Sequence, residues 1–446
     1  METAQLYDIF KTCGSVTTDS RNIRGGEMFF ALKGENFDGN DFALKALDAG
    51  ASWAVVTEGS APAGVSDEKY ASRIIAVPDT LKALQDLARY HRSMTFVDGK
   101  PLTVIALTGT NGKTTTKELI KAVLSVRYNV TATEGNLNNN IGVPLTLLKI
   151  NSSTQIAVVE MGASHPGDIK ELVSIALPNY GLITNVGKAH LQGFGSFEGV
   201  MKTKGELYDY IQRTADRVFL NVDNPYLCRM ASERPDLVTI PYGVEYEGVS
   251  VLPSDTSHPY LRMLFPSSSL ELNTRLVGAY NADNVMAAVA VGRQFGVSLE
   301  EAAAAIAAYE PSNSRSQMVR TGSNVVIVDA YNANPTSMNA ALDNMQTIAS
   351  EHKVAMLGDM LELGKDSVKE HQAIVKKAAG IFSEAYLVGP EFGKALDGVE
   401  KVDCVFRHFN SSEDLLQWLN TSPVHDAVIL VKGSRGMRME KVLPAL

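Results

Sequence analysis

Residues 102–107, Leu-Thr-Val-Ile-Ala-Leu, run straight into Thr108-Gly-Thr-Asn-Gly-Lys-Thr-Thr115 and then into a helical pattern over 117–126. A short apolar run that ends on a glycine turn and restarts as a helix reads as a strand of a parallel sheet, its loop at the sheet's carboxyl edge. At that edge the backbone N–H groups of Gly109, Thr110, Asn111 and Gly112 can converge on phosphate oxygens. The opening turn of the helix through Thr115 adds partial positive charge, Lys113 adds a full one, and the Thr114 hydroxyl suits magnesium. The spacing differs from G-x-x-x-x-G-K-[ST], because Leu107 stands where that pattern has its first glycine. The plainer reading is a glycine turn with a solvated lysine; strand and helix on either side favour phosphate binding, hence ATP.

Further apolar runs, each followed by Gly, Asn, Asp or Ser and a helical pattern, lie at 156–160, 182–185 and 218–221, and a second set at 325–329, 354–357, 385–388 and 428–431. They predict an α/β chain with two parallel sheets. At 446 residues the chain suggests about three domains. The linker-like Pro311-Ser-Asn-Ser-Arg315 places a hinge near Ser312, and the polar stretch ending Asp98-Gly-Lys-Pro101 closes a first domain. The expected domains are 1–98, 99–312 and 313–446, with residues 241–273, including Pro253-Ser-Asp-Thr-Ser-His-Pro259, as an antiparallel insertion. A net charge of −9 argues against a nucleic-acid partner, which needs a basic face. Three scattered cysteines fit a reducing cytoplasm, and the absence of an export signal or of an eighteen-residue apolar run predicts no membrane insertion.

Several polar residues fall at strand ends. Glu160 closes Ile156-Ala-Val-Val-Glu160, where it reads as a magnesium ligand or as a helix cap. His190, in Thr184-Asn-Val-Gly-Lys-Ala-His190, stands on the same edge and reads as a ligand or as a surface histidine. Lys202-Thr-Lys204-Gly-Glu206 reads as a solvated helix start. Asp329, in Asp329-Ala-Tyr-Asn332-Ala-Asn334-Pro335, is placed to accept from ribose hydroxyls, unless the segment is only an Asn-rich turn. Lys432-Gly-Ser434-Arg435 offers two cations on a flexible backbone to a carboxylate or phosphate, or is a solvated basic loop.

In order and over nearly the whole chain, these segments resemble the Mur ligases, which build the peptidoglycan stem peptide. Asp329-Ala-Tyr-Asn-Ala-Asn-Pro335 and Leu357-Gly-Asp-Met-Leu-Glu-Leu-Gly364 resemble the branch that joins D-alanyl-D-alanine to UDP-N-acetylmuramoyl-tripeptide. The resemblance implies a central P-loop parallel-sheet ATPase domain, a Rossmann-like C-terminal domain that closes over ATP and the dipeptide, and a smaller α/β N-terminal domain that binds the UDP-muramoyl-peptide. Thr18-Asp-Ser20-Arg21 and the stretch through Gly34, Phe37, Asp38 and Gly39 resemble the uridine pocket, although a hairpin with turns would also account for them. Gly135-Asn136-Leu-Asn138-Asn139 resembles the muramoyl-side loop, and Asn332, Asn334, Lys432, Ser434 and Arg435 are expected on the substrate side. Asn281 is expected at adenine, Asp329 at ribose and Arg315 at the phosphates.

The same resemblance makes Lys204 a carbamylated lysine that holds a second magnesium with His190, while Thr114 and Glu160 hold the first. Lys113, Lys204 and His190 are thereby the expected catalytic groups, in a monomeric cytoplasmic enzyme of cell-wall synthesis that works through an acyl phosphate. A sister ligase such as folylpolyglutamate synthase would share the phosphate loop and the Lys204 region but not the Thr18–Arg21 segment. A nucleotide-dependent switch would not need nucleotide contacts spread from Lys113 to Arg315 and Asp329.

Overall fold

The computed structural model describes residues 1–60, 68–214, 216–254, 258–311, 315, 317–397 and 403–446. Ser312, the expected hinge, and residues 255–257 lie outside them.

The central sheet explains why the phosphate loop lies where it does. Its six strands stand in the order Val238–Tyr242, Arg217–Asn221, Tyr180–Ile183, Thr103–Thr108, Ile156–Glu160 and Val130–Ala132, all parallel. Side chains alternate across it: Val104 and Ala106 join one core, Ile105 and Leu107 the other, as a sheet covered by helices on both faces requires. The chain runs from Thr103–Thr108 to strands on one side of it and then crosses to Tyr180–Ile183 on the other. The carboxyl end of Thr103–Thr108 is therefore the sheet's switch point, where open α/β sheets leave a crevice.

The third sheet is built likewise. Gln317–Arg320 pairs antiparallel with Val325–Asp329, followed by the parallel strands Val428–Lys432, Lys353–Gly358, Glu384–Val388 and Val405–Phe409. Register sets Asp329 opposite Lys432 at its carboxyl edge. The first sheet has four short parallel strands between Val16 and Val77. Helix Thr80–Ser93 joins it to the central part: Arg92 donates to the Leu177 carbonyl and to Asn179, and Gln85 to Glu171.

Four expectations change. Val238–Tyr242 is an edge strand of the central parallel sheet, a place that tolerates Pro241, and the antiparallel insertion is instead Ser250–Leu252, Tyr260–Phe265 and Leu270–Val277. Val16–Thr17 and Met28–Phe30 pair parallel and form no hairpin. Asp98-Gly99, with φ of 50° and 75°, is the tight turn of a small hairpin, Phe96–Val97 with Lys100–Pro101. The helix after the phosphate loop begins at Lys113, because Gly112 in the left-handed region lets the turn close directly onto it.

Candidate active site

The two glycines of the loop are fixed by what surrounds them. Gly109 has φ 146°, and a Cβ there would lie 2.0 Å from Thr184 Oγ1; Gly112 has φ 79°, and its Cβ would lie 2.5 Å from Asn284 Oδ1. Thr184 donates from Oγ1 to the Asn111 carbonyl at 2.6 Å, while the amides of Thr110 and Asn111 donate to the Asn185 carbonyl and Oδ1, each at 3.0 Å. Those two amides, expected to face phosphate, are thus spent on Asn185. The donors left for an anion are the Gly109 and Gly112 amides and the first-turn amides of helix Lys113–Leu124. Gly112→Ala is expected to lose about 1–2 kcal/mol from the backbone alone and to displace Asn284, weakening ADP binding; denaturant unfolding and calorimetric titration measure the two losses.

Lys113 arches over its own loop, donating from Nζ to the carbonyls of Gly109 (2.8 Å) and Thr110 (3.1 Å). Burial lowers its pKa; the Glu160 carboxylate opposes that shift, and the Arg315 charge adds to it. Glu160 is 1% exposed yet satisfied, with Oε2 accepting from Thr114 Oγ1 at 2.9 Å and Oε1 from Asn138 Nδ2 at 2.8 Å. Asn138, expected on the muramoyl side, therefore holds the carboxylate. Its neighbour Asn139 caps the turn through the Gly142 N–H.

Lys204 is not a solvated helix start. It lies in the middle of helix Phe197–Thr214, 2% exposed, because that face packs inward. Among the described residues it has no hydrogen bond or ion pair, and its Nζ stands 5.6 Å from the centroid of the Phe194 ring. Burial, then the charge of Lys113, hold its pKa well below the ordinary lysine value, against the pull of Asp168 and Glu206. His190 packs edge-on against the same ring, 6.3 Å between centroids, and its Nδ1 pairs with Glu362.

Across the opening, Arg315 lies over the Tyr331 ring, 3.6 Å to the centroid, with its buried Nε unpartnered among the described residues, and Arg435 approaches the same ring at 5.6 Å. Lys432, fully buried, pairs with Asp329. A cleft of about 890 Å³ brings together Thr110 to Lys113, Thr115, Asn138, Asn139, Glu160, His190, Asn281, Arg315, Asp329, Tyr331, Asn332 and Lys432. Asn281 also ties the turn before helix Ala282–Gln294, donating to the Val277 carbonyl and accepting from Asn284.

Other expected residues lie apart from the cleft wall. Asn334 caps helix Pro335–Thr347 and exchanges amide hydrogen bonds with Asn111 (2.7 and 3.4 Å). Ser434 is buried, accepting from the Leu361 N–H and donating to the Ala333 carbonyl. Ser20, Arg21, Gly34, Phe37, Asp38 and Gly39 are on the N-terminal part. There Arg21 binds Asp19 through Nε and Nη2, the Phe37 ring covers Gly34 while 59% exposed, and Asp38 accepts from Asn40. The reading from sequence missed Asn185 and Asn284, which shape the loop, Tyr331, which carries Arg315, and Glu362. Asn185, Tyr331 and Glu362 stood inside motifs already singled out; Asn284 lay outside them.

Three family models match: the Mur ligase family catalytic domain over residues 13–92, the Mur ligase middle domain over 107–292, and the Mur ligase glutamate ligase domain over 314–435. The chain is 36% identical over 445 residues to the UDP-N-acetylmuramoyl-tripeptide–D-alanyl-D-alanine ligase of Bacillus subtilis (strain 168), an alignment covering 97% of this chain and 92% of that one. Among solved structures it is similar to MurF from Acinetobacter baumannii, with 30% identity, TM-score 0.84 and coverage of 99% and 97%. It is also similar to the MurF ligase from Thermotoga maritima in complex with ADP, with 27% identity, TM-score 0.82 and coverage of 98% and 97%.

Proposed function

The chain belongs to the Mur ligase family, and from that premise we infer that it joins D-alanyl-D-alanine to UDP-N-acetylmuramoyl-tripeptide at the expense of ATP, giving the pentapeptide, ADP and phosphate. One observation carries the chemistry: the phosphate loop, an oxygen-rich carboxylate site and a set of cations from the C-terminal part all line one cleft. Phosphoryl transfer to the tripeptide carboxylate brings two anions together, and the acyl phosphate so formed is attacked by the dipeptide amine, releasing phosphate. Lys113 and the helix start would offset the repulsion, and Arg315, held over the Tyr331 ring, would meet the phosphates from the other side. Asn281 is assigned to adenine, Asp329 to ribose, and Asn332, Lys432 and Arg435 to the dipeptide side. Ser20, Arg21 and the segment from Gly34 to Gly39 are assigned to the uridine end. The division at 98 and 312 belongs to the same proposal: among the described residues no sheet joins strands from both sides of 312, and the only one that spans 98 is the small hairpin Phe96–Val97 with Lys100–Pro101.

Magnesium fits the residues present. Thr114 and Glu160 supply hard oxygen donors, and this ion is ordinarily held by one or two carboxylates together with nucleotide phosphates rather than by a protein cage. When bound it neutralises phosphate charge. A second position would be formed by His190 and Lys204, the latter as a carbamate. Support for the carbamate is chemical: a buried amine with no partner and a depressed pKa has the free lone pair that carbon dioxide adds to, losing a proton as the N–C bond forms. Cytoplasmic residence and a monomeric state complete the proposal.

The test is phosphate release with ATP, magnesium, UDP-muramoyl-tripeptide and D-alanyl-D-alanine, each omitted in turn. Release is expected only with all four. Release indifferent to the dipeptide would sink the assignment, and dependence on glutamate instead would select a folate-type ligase.

A further inference from the structure

The proposed chemistry uses His190 but not the group that touches it. His190 sits at φ 49°, a left-handed conformation uncommon outside glycine, and its Nδ1 pairs with the Glu362 carboxylate, from the C-terminal part of the chain. Glu362 is itself left-handed, φ 62°, and its carbonyl accepts the Gln192 N–H at 3.3 Å. The segment that presents it is braced from behind. Buried Asp359 accepts the N–H groups of Glu391 and Phe392, Met360 N–H donates to His371 Nε2, and Leu361 N–H donates to Ser434 Oγ, all at 2.9 Å. So firm a support is not needed for a stabilising ion pair. The side chains are 36% and 57% exposed, and solvent leaves such a pair little to contribute to stability.

We propose that Glu362 is a positioning residue for His190, delivered by the C-terminal part of the chain. Its carboxylate accepts the proton on Nδ1 and so leaves Nε2 with a bare lone pair. A carboxylate behind a histidine fixes both tautomer and ring orientation and makes the outer nitrogen a better metal donor. His190 lines the cleft and Glu362 does not, so the carboxylate acts through the ring. The ligand set at the phosphate end is then complete only while the Glu362 segment is docked on residues 190–192, which ties metal binding to closure of the cleft. This rests on the reading of His190 as a metal ligand. A nearby pair, Lys188 Nζ with Glu370 at 2.7 Å, bridges the same two parts without touching His190 and serves as the control.

The experiment is manganese binding to the full-length chain with ADP, followed by electron paramagnetic resonance. Glu362→Ala is expected to raise the metal concentration that half-fills the weaker site by about 10–100-fold. Glu362→Gln, whose amide oxygen can still accept from Nδ1, recovers part of that loss, and Glu370→Ala leaves binding unchanged. Unaltered binding in Glu362→Ala while His190→Ala weakens it overturns the proposal. So does an equal loss in Glu370→Ala, which would make Glu362 a clamp between domains. Unaltered binding in His190→Ala overturns the ligand reading beneath it, and the proposal with it.

Discussion

Lys204→Ala is expected to lose ligation by on the order of 10²–10³-fold, the range for removing one charge-stabilising group from a closed site, and to regain part of it in added acetate or propionate. An ammonium at 2% exposure with no ion pair or hydrogen bond among the described residues would be costly, and burial together with Lys113 drives the group toward its neutral form. A neutral amine alone does nothing for an anionic reaction. A carbamate restores charge of the opposite sign at a place where Lys113 and the helix start supply the positive field. In the alanine variant the vacated space would admit a small carboxylate. Restoration should follow carboxylate size, shortest chains first, and wild-type activity should fall in bicarbonate-free buffer. Near-normal turnover of the variant in that buffer would end the carbamate reading. Substituting neutral glutamine for Lys204 would then give the same answer as alanine.

The fold was legible in the sequence because a parallel sheet covered on both faces writes itself as uninterrupted apolar runs, and residues 103–107, 156–160 and 325–329 all fall on strands. Loop chemistry was legible at Gly109 and Gly112, where backbone conformation and close neighbours forbid a side chain. What was hidden shares one cause: it depends on residues far apart in the chain. Lys204 reads as polar helix surface until helix Phe197–Thr214 is packed and its inner face is known. Asn138 looks like a loop residue until Glu160, twenty-two positions later, is brought within 2.8 Å. The antiparallel insertion expected from residue 241 onward starts only at Ser250, because Pro241 stands on an edge strand of the parallel sheet, where a missing N–H is tolerated. Glu362 could be singled out within its motif, but its partner lies 172 residues away.

Lys113→Ala is expected to abolish most turnover, again by about 10²–10³-fold, while leaving the protein at least as stable as before. The two effects part because of where the ammonium now rests. Its bonds to the Gly109 and Thr110 carbonyls contribute about 0.5–1.5 kcal/mol each, but burial opposes the charge they hold, which is why its pKa is depressed. The sign follows by linkage. Between the depressed folded value and the ordinary lysine value the unfolded chain binds more protons, so wild-type stability gains from this residue as pH rises through that window. The alanine variant should lack that increment, making the difference between the two proteins largest below that window, with the variant favoured, and smallest above the ordinary lysine range. Denaturant unfolding at several pH values measures it. Activity tells the other half: to reach a γ-phosphate, Nζ must leave both carbonyls, and only an anion in the loop compensates for that. A variant that lost stability in step with activity would place Lys113 in the fold of the loop instead of in the transfer step.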